Sequence, residues 1–260
     1  MTAILLVFAT LAGLAIGSFL NVVIWRVPRG ESIVRPPSAC PGCQQPILPR
    51  DNVPVLSWLL LRGRCRRCDR RISLRYPLVE AATAVLFLVM ALRFGARPVL
   101  PAYVFLMAVG LALALIDIDV KRLPDVLTLP SYPVALLLLG LAAVLSSDGH
   151  SLVRALIGMA IAGGLYFGLW FAYPKGMGFG DVKLSGLLGL YLGWLGYGEL
   201  AVGLFLGFFF GGLFGMGLIL FKEGGRKTKV PFGPFMLLGA LAAILVGSQL
   251  VDGYLSLTLA

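Results

Sequence analysis

Long apolar runs separated by short polar gaps dominate this sequence. Eight runs approach the length of about 20 residues that a membrane-spanning helix needs. Backbone polar groups in lipid must be satisfied internally, so only helices or closed barrels span a membrane, and runs of this length favour helices. The sequence therefore predicts an all-α polytopic membrane protein with about eight transmembrane helices. The eight runs cover roughly 2–25, 77–95, 99–117, 126–145, 152–173, 182–197, 199–221 and 231–250.

Composition excludes most soluble classes of protein. The chain is 59% hydrophobic and only 13% charged, whereas a soluble domain is about 45–50% apolar and about 25% charged. The net charge of +10 would suggest nucleic acid in a soluble protein. Here nineteen of the 22 basic residues fall on one side of an alternating topology. That side is predicted to be cytoplasmic and to face anionic membrane lipid, with the N-terminus outside and no nucleic-acid partner.

One polar loop interrupts the apolar pattern. It follows the first run, carries eleven arginines between Arg26 and Arg75, and contains all four cysteines. The first run has no charge before Arg26, which indicates an uncleaved anchor rather than a signal peptide. We therefore expect a first transmembrane helix at 1–25, a cytoplasmic four-cysteine loop domain at 26–76 and a seven-helix membrane domain at 77–260.

The cysteines form two CxxC pairs. Four thiolates suit tetrahedral zinc, and a closed four-thiolate site is structural rather than catalytic. The predicted cytoplasmic location disfavours disulfides. A metal would also supply folding energy that this arginine-rich loop lacks. Reduced or redox-active thiols without metal are the alternative interpretation. The four residues are Cys40, Cys43, Cys65 and Cys68.

Aspartates at the membrane boundary are the candidate catalytic groups, because carboxylates at membrane depth are costly and usually functional. Asp117 and Asp119 end the third run, and Asp181 opens the sixth at the same predicted cytoplasmic side. Two residues are about 200° apart on a helix, so only one of the first two can face Asp181. Asp117 lies deeper and is the better candidate. Two close carboxyl groups can share a proton and activate a water, as in aspartic proteases.

Other interpretations of these acidic residues stay open. A proton-coupled transporter would use the same carboxylates, and a zinc-stabilised assembly scaffold would need no catalysis.

Asp125 is most simply an acidic residue at a helix N-terminus. The four-residue glycine repeat in 199–221 predicts close helix packing rather than a ligand groove. Its members are Gly203, Gly207, Gly211 and Gly215.

Several motifs together resemble those of the bacterial type IV prepilin peptidases, the leader peptidase/N-methyltransferases of pilus assembly and type II secretion. The resemblance covers nearly the whole chain. The motifs are Gly17-Ser18-Phe19-Leu20-Asn21-Val22-Val23 followed by Arg26 and Pro28; Asp51-Asn52-Val53-Pro54-Val55-Leu56-Ser57-Trp58 between the CxxC pairs; Arg75-Tyr76-Pro77-Leu78-Val79-Glu80; Asp117 through Leu123-Pro124-Asp125 and Leu127-Thr128-Leu129-Pro130; Gly178-Phe179-Gly180-Asp181-Val182-Lys183-Leu184; and Pro231-Phe232-Gly233-Pro234.

This resemblance implies a multi-pass inner-membrane aspartic peptidase that cuts the leader from prepilins and pseudopilins at the cytoplasmic face. Asp117 and Asp181 carry over as the catalytic pair and the four cysteines as metal ligands. Because the cysteine loop accompanies methylating members, the resemblance also implies N-methylation of the new N-terminus with S-adenosylmethionine. A cleavage-only peptidase is the alternative. The methyl-donor site is not located; Glu80 and Gly63 are only guesses near the loop.

Overall fold

A computed structural model describes residues 2–220 and 231–258. Within those two ranges the chain is helical and forms no β-strand, only two isolated β-bridges. Four basic residues used in the topology prediction, Lys222, Arg226, Lys227 and Lys229, lie outside the described residues. The helices are α1 Thr2–Arg26, α2 Leu56–Leu60, α3 Arg75–Phe94, α4 Leu100–Val120, α5 Asp125–Ser146, α6 Gly149–Ala172, α7 Phe179–Leu195, α8 Tyr197–Leu220 and α9 Gly233–Thr258.

All eight predicted runs coincide with long helices, which confirms the all-α membrane fold class. Seven of the described helices are long and apolar enough to cross a membrane. The exception, α7, has 17 residues and is buried along nearly its whole length. It packs against α5, α6, α8 and α9, so these four helices surround it. The apolar run at 182–197 therefore covers a core helix shorter than its neighbours, while α9 continues beyond the predicted end at 250.

The chain divides into two compact units, Met1–Ala112 and Leu113–Ala260. In the first unit α1 packs against α3, with the four-cysteine loop between them in sequence. Glycines permit this close packing: a Cβ on Gly13 would lie 2.6 Å from Ala84 Cα, and one on Gly17 would lie 2.7 Å from Glu80 Cα. Helix backbones approach this closely only where side chains are minimal.

In the second unit, close packing at glycines also joins α6 to α7. A Cβ on Gly158 would lie 2.5 Å from the Gly189 carbonyl oxygen and 2.8 Å from Gly193 Cα. Arg154 of α6 reinforces the contact, because its guanidinium donates to the carbonyl oxygens of Gly193 and Trp194. A cation binding the last carbonyls of a helix also complements the helix dipole.

The glycine repeat of α8 confirms the packing prediction at three of its four positions. Gly203 packs against Leu192 and Ala243, Gly207 against Met236, and Gly211 against Phe232. Among the described residues the prediction was wrong for Gly215, where an added Cβ would meet no atom within 4 Å. The repeat therefore serves contact with α7 and α9 along part of its length, ending before the last turn of α8.

Gly158→Ala should lower the stability of the protein in detergent, since its new methyl group would overlap the backbone of α7. Overpacking of this kind costs about 1–3 kcal/mol. Gly164→Ala is the matched control on the same helix, where a Cβ would meet nothing within 4 Å. The midpoint of thermal unfolding is the measurement; equal midpoints for the two variants would contradict the packing described for α6 and α7.

Candidate functional site

Asp117 is buried near the C-terminal end of α4. Its side chain is on the inner face of the helix and only 5% of the residue is exposed, whereas Asp119 is exposed. The backbone amide of Gly233 donates to Asp117 Oδ2 over 3.0 Å. A buried carboxylate needs such a donor to offset the loss of water. The helical spacing of the two aspartates thus matches their different environments.

Asp181 lies in the first turn of α7 and is also buried. The Gly178 amide donates to Asp181 Oδ2 over 3.2 Å, and the Asp181 amide donates to the Gly178 carbonyl oxygen. The Gly178–Asp181 segment therefore forms a compact helix start. The N-terminus of a helix favours a negative charge, which helps to hold this carboxylate in a buried place.

The structure brings the two aspartate segments together at Leu123. Leu123, in the connection from α4 to α5, packs between the glycines that flank them: added Cβ atoms on Gly180 and Gly233 would lie 3.0 Å and 3.4 Å from its side chain. Three segments that are far apart in sequence thus meet at one buried site.

Lys183 belongs to the second aspartate motif and makes contacts that the sequence did not predict. Lys183 Nζ contacts Asp125 Oδ1 at 2.6 Å and lies 5.1 Å from the centre of the Phe179 ring. Tyr132 donates a hydrogen bond from its hydroxyl to the Lys183 carbonyl oxygen. Asp125 is thus at the start of α5, as predicted, and also pairs with the second aspartate motif. The sequence could not predict the pairing of Lys183 with Asp125, because the two residues are 58 positions apart.

The four cysteines converge in the first unit. Their sulfur atoms all lie within 4.8 Å of one another, and Cys40 Sγ and Cys68 Sγ are 3.7 Å apart. A tetrahedral site with metal–sulfur distances of about 2.3 Å requires sulfur–sulfur distances of about 3.8 Å. The cluster could therefore hold a four-coordinate metal ion.

The two CxxC segments adopt the same backbone conformation. Gln44 and Asp69, each directly after the second cysteine of its pair, have positive φ angles of 57° and 56°. Their amides donate to the carbonyl oxygens of Cys40 and Cys65. Hydrogen bonds from the backbone amides of Cys43 and Gly42 lower the pKa of Cys40 to about 6. A thiol that ionises easily is suited to metal ligation.

Polar contacts fix the loop that joins α1 to α3. Arg26 donates to the carbonyl oxygens of Ser32 and Pro36. Arg66 hydrogen-bonds both carboxylate oxygens of Asp51 and lowers the pKa of that side chain. These contacts explain why arginine and aspartate recur in a loop with little apolar core.

Glu80 and Gly63 both have structural contacts in this loop. Glu80 is buried, and its Oε2 accepts a hydrogen bond of 2.7 Å from the Val55 amide. Gly63 has φ +67°, and an added Cβ would lie 2.7 Å from the Trp58 ring. A side chain at Gly63 would therefore displace the indole as well as strain the backbone.

Comparison with known proteins agrees with the motifs. The model of the bacterial peptidase A24 N-terminal domain matches residues 11–94, and that of the type IV leader peptidase family matches residues 104–216. The chain belongs to the type IV leader peptidase family. The resemblance inferred from the motifs is thereby confirmed, and Asp117, Asp181 and the four cysteines lie within the matched residues.

Full-length relatives carry consistent names. A prepilin leader peptidase/N-methyltransferase of Aeromonas salmonicida is 38% identical, with 95% of this chain and 92% of the relative covered. The protein of that name in Pseudomonas aeruginosa is 36% identical over 94% and 91%. A type 4 prepilin-like proteins leader peptide-processing enzyme of Escherichia coli is 38% identical over 92% and 93%. No solved structure matches the chain.

We expect the purified protein to contain one metal ion per chain. Replacing either pair by serine, Cys40→Ser with Cys43→Ser or Cys65→Ser with Cys68→Ser, should abolish the metal content, because two thiolates cannot complete a tetrahedral site. Ser38→Ala in the same loop is the control. Elemental analysis combined with thiol titration is the measurement. A substoichiometric metal content with four reactive thiols in the unaltered protein would contradict the expectation.

Proposed function

We propose that this protein is an aspartic endopeptidase that removes the leader from type IV prepilins and pseudopilins and then methylates the new N-terminus. Membership of the family and the names of its relatives support both activities. The observation that carries the peptidase proposal is the burial of Asp117 and Asp181, each bonded by a glycine amide, in segments that both contact Leu123. The transporter and scaffold alternatives have no comparable support.

The proposed chemistry uses the two carboxyl groups as one unit. Close carboxylates resist ionising together, so one retains a proton and the other removes a proton from a water molecule. That water attacks the scissile carbonyl carbon while the protonated carboxyl group donates to the carbonyl oxygen, giving a tetrahedral intermediate. The intermediate collapses with cleavage of the C–N bond, and the leaving amine nitrogen takes the proton that the first carboxylate removed from water. The amides of Gly233 and Gly178 each occupy Oδ2 of one aspartate. They thereby restrict how the carboxyl groups can turn.

The proposed location is the bacterial inner membrane, with the N-terminus periplasmic and both the aspartates and the cysteine loop cytoplasmic. Seven candidate spans support a multi-pass membrane protein. The orientation rests on the concentration of arginine and lysine in alternate gaps. The same proposal includes pseudopilin substrates, contact with membrane lipid and the lack of a nucleic-acid partner. It also includes domain boundaries at 25/26 and 76/77.

The four thiols are proposed to hold a structural zinc ion, Cys40, Cys43, Cys65 and Cys68 being its ligands. Zinc is favoured because a four-thiolate tetrahedral set is typical of it and leaves no open position for catalysis. Methylation requires S-adenosylmethionine as the methyl donor. The presence of the cysteine loop supports methylation in addition to cleavage, and the cleavage-only alternative is distinguished by experiment.

Asp117→Asn and Asp181→Asn should each lower prepilin cleavage by at least about a hundredfold, because either change removes one proton-transferring group. The neighbouring exposed aspartate supplies the matched control, and Asp119→Asn should cleave at the rate of the unaltered enzyme. Purified enzyme and prepilin are incubated with and without S-adenosylmethionine and the products weighed by mass spectrometry. We expect loss of the leader in both cases and one added methyl group only with the donor.

Two results would contradict the proposal. Cleavage at full rate by either of the two buried-aspartate variants would exclude the catalytic pair. Cleavage without any methyl transfer from the donor would leave the peptidase activity and exclude the second activity.

Gly233→Ala should also impair cleavage, although Gly233 has no side chain to take part in the chemistry. Its new Cβ would lie 2.9 Å from Asp117 Oδ2, and a displaced catalytic group can lose about a hundredfold in rate. Gly212→Ala on α8 is the control, because a Cβ there would meet open space. Initial cleavage rates at saturating prepilin are the measurement; identical rates in the two variants would argue against this positioning role.

A further inference from the structure

The short helix α2 presents its leucines on the outside. Leu56, Leu59 and Leu60 lie at positions i, i+3 and i+4, so they share one helix face, and these residues are 53%, 58% and 74% exposed. Ser57 of the same helix is buried, and its hydroxyl donates to the Arg50 carbonyl oxygen. The polar side of α2 is therefore directed inward and the leucine face outward, the reverse of a helix on the surface of a water-soluble domain.

Contacts on the inner side keep α2 in this orientation. The Ser57 hydroxyl also accepts a hydrogen bond from the Val53 amide over 2.9 Å. Trp58 Nε1 donates to the Ile72 carbonyl oxygen over 3.2 Å, and Gly63 lies against the indole ring. A rotation of α2 that buried the leucines would break these hydrogen bonds, and buried polar groups are costly to leave without partners. The outward direction of the leucine face is therefore fixed by the fold of the loop.

The level of α2 relative to the membrane follows from its link to α3. That helix has 20 residues and is a candidate membrane span. Twenty helical residues extend about 30 Å, the thickness of the hydrocarbon core, so α3 needs its whole length to cross. Glu80, the sixth residue of α3, accepts a hydrogen bond of 2.7 Å from the Val55 amide. Because Val55 directly precedes α2, the short helix begins beside the first turns of a spanning helix.

Residues at the start of α3 are exposed at the same level. Tyr76 and Leu78 are 46% and 57% exposed, although they belong to the candidate span. A tyrosine at the end of a span is typical of the interface between membrane and water. This level is the boundary between headgroups and acyl chains, where amphipathic helices that lie on a membrane place their apolar faces.

The loop around α2 carries the charge that anionic lipid attracts. Residues 26–76 contain eleven arginines and three acidic residues. Arg62, the second residue after α2, is exposed. Arg64 is exposed as well, but its guanidinium pairs with Asp69. Basic residues next to an apolar interfacial segment strengthen its binding to anionic headgroups.

We propose that the leucine face of α2 inserts into the anionic lipid surface of the membrane that holds α1 and α3. Both ends of the loop continue into these long helices, so α2 stays close to that surface and its effective concentration there is high. A second copy of this chain is a poorer occupant, since two loops with an excess of arginine repel each other. Insertion attaches the four-cysteine loop to the membrane at a third place and requires neither peptidase nor methyl-transfer activity.

Photo-crosslinking from α2 tests the proposal. A photoreactive diazirine amino acid replaces Leu60 in the full-length protein, which is reconstituted into vesicles of phosphatidylcholine and phosphatidylglycerol in equal amounts. We expect lipid adducts at Leu60 with a yield comparable to that of the same probe at Leu78. The probe at Asp69 should give a yield at least about tenfold lower, because an exposed position that is charged in the unaltered protein is hydrated.

Mass spectrometry of the crosslinked peptide identifies what covers the leucine face. Adducts of Leu60 with a second copy of the chain or with added prepilin, in place of lipid, would overturn the proposal and name the occupant. A probe that reacts only with water would overturn it as well. If the Leu60 variant unfolds at a lower temperature than the unaltered protein, the same probe at Leu56 replaces it with the same expectations.

The unaltered protein provides a second measurement. Trypsin cuts after Arg50 and Arg62, so α2 is recovered in the peptide 51–62. Phosphatidylglycerol that carries a diazirine in its acyl chain should label this peptide. Phosphatidylcholine that carries the same group should label it at least about fivefold less, the effect of one arginine near an anionic surface. Absence of label from both lipids would refute insertion, and equal label would refute the anionic preference.

Two arginine variants separate the charge from the apolar contact. Arg62→Gln should lower the preference for phosphatidylglycerol about fivefold, measured on the peptide 51–64 that trypsin then releases. Arg64→Gln is the matched control and should keep the preference, because the charge of Arg64 is already paired with Asp69. The same preference in both variants would exclude Arg62 as a lipid-binding residue.

Discussion

Two carboxyl groups are buried among apolar helices, and each accepts a hydrogen bond from the backbone amide of a glycine. Gly233 donates to Asp117 and Gly178 to Asp181. A charged or polar group in an apolar interior is tolerated only where such donors replace water. The rest of the second unit is arranged to permit this: α7 is short and enclosed, and Leu123 fills the space between the two glycine motifs.

Glycines allow the helices of the second unit to pack with their backbones in close contact. Apolar helices gain little from hydrophobic burial against one another in lipid, so close packing and polar contacts must supply their association. The backbones of α6 and α7 meet at Gly158 and Gly189, and those of α8 and α9 meet at Gly207 and Gly239. These contacts enclose α7 and with it the helix start that carries Asp181.

The first unit contains a long polar loop that is held mainly by polar contacts. Its loop has many arginines and few apolar residues, and it is organised by the convergence of four thiols, by arginine bonds to carbonyl oxygens and by the Glu80–Val55 contact. A metal at the thiols would fix one part of the loop, and α1 and α3 fix its ends.

Apolar run length and the spacing of cysteines and aspartates were sufficient to predict an all-helical membrane fold, a four-thiol cluster and the burial of Asp117 rather than Asp119, since these depend on local periodicity. The resemblance of the motifs to those of known proteins was sufficient to predict the family. The pairing of Lys183 with Asp125, the amide of Gly233 on Asp117 and the burial of Glu80 under Val55 required coordinates. Each joins residues distant in the chain through packing, and helical periodicity gives no information on which helices become neighbours.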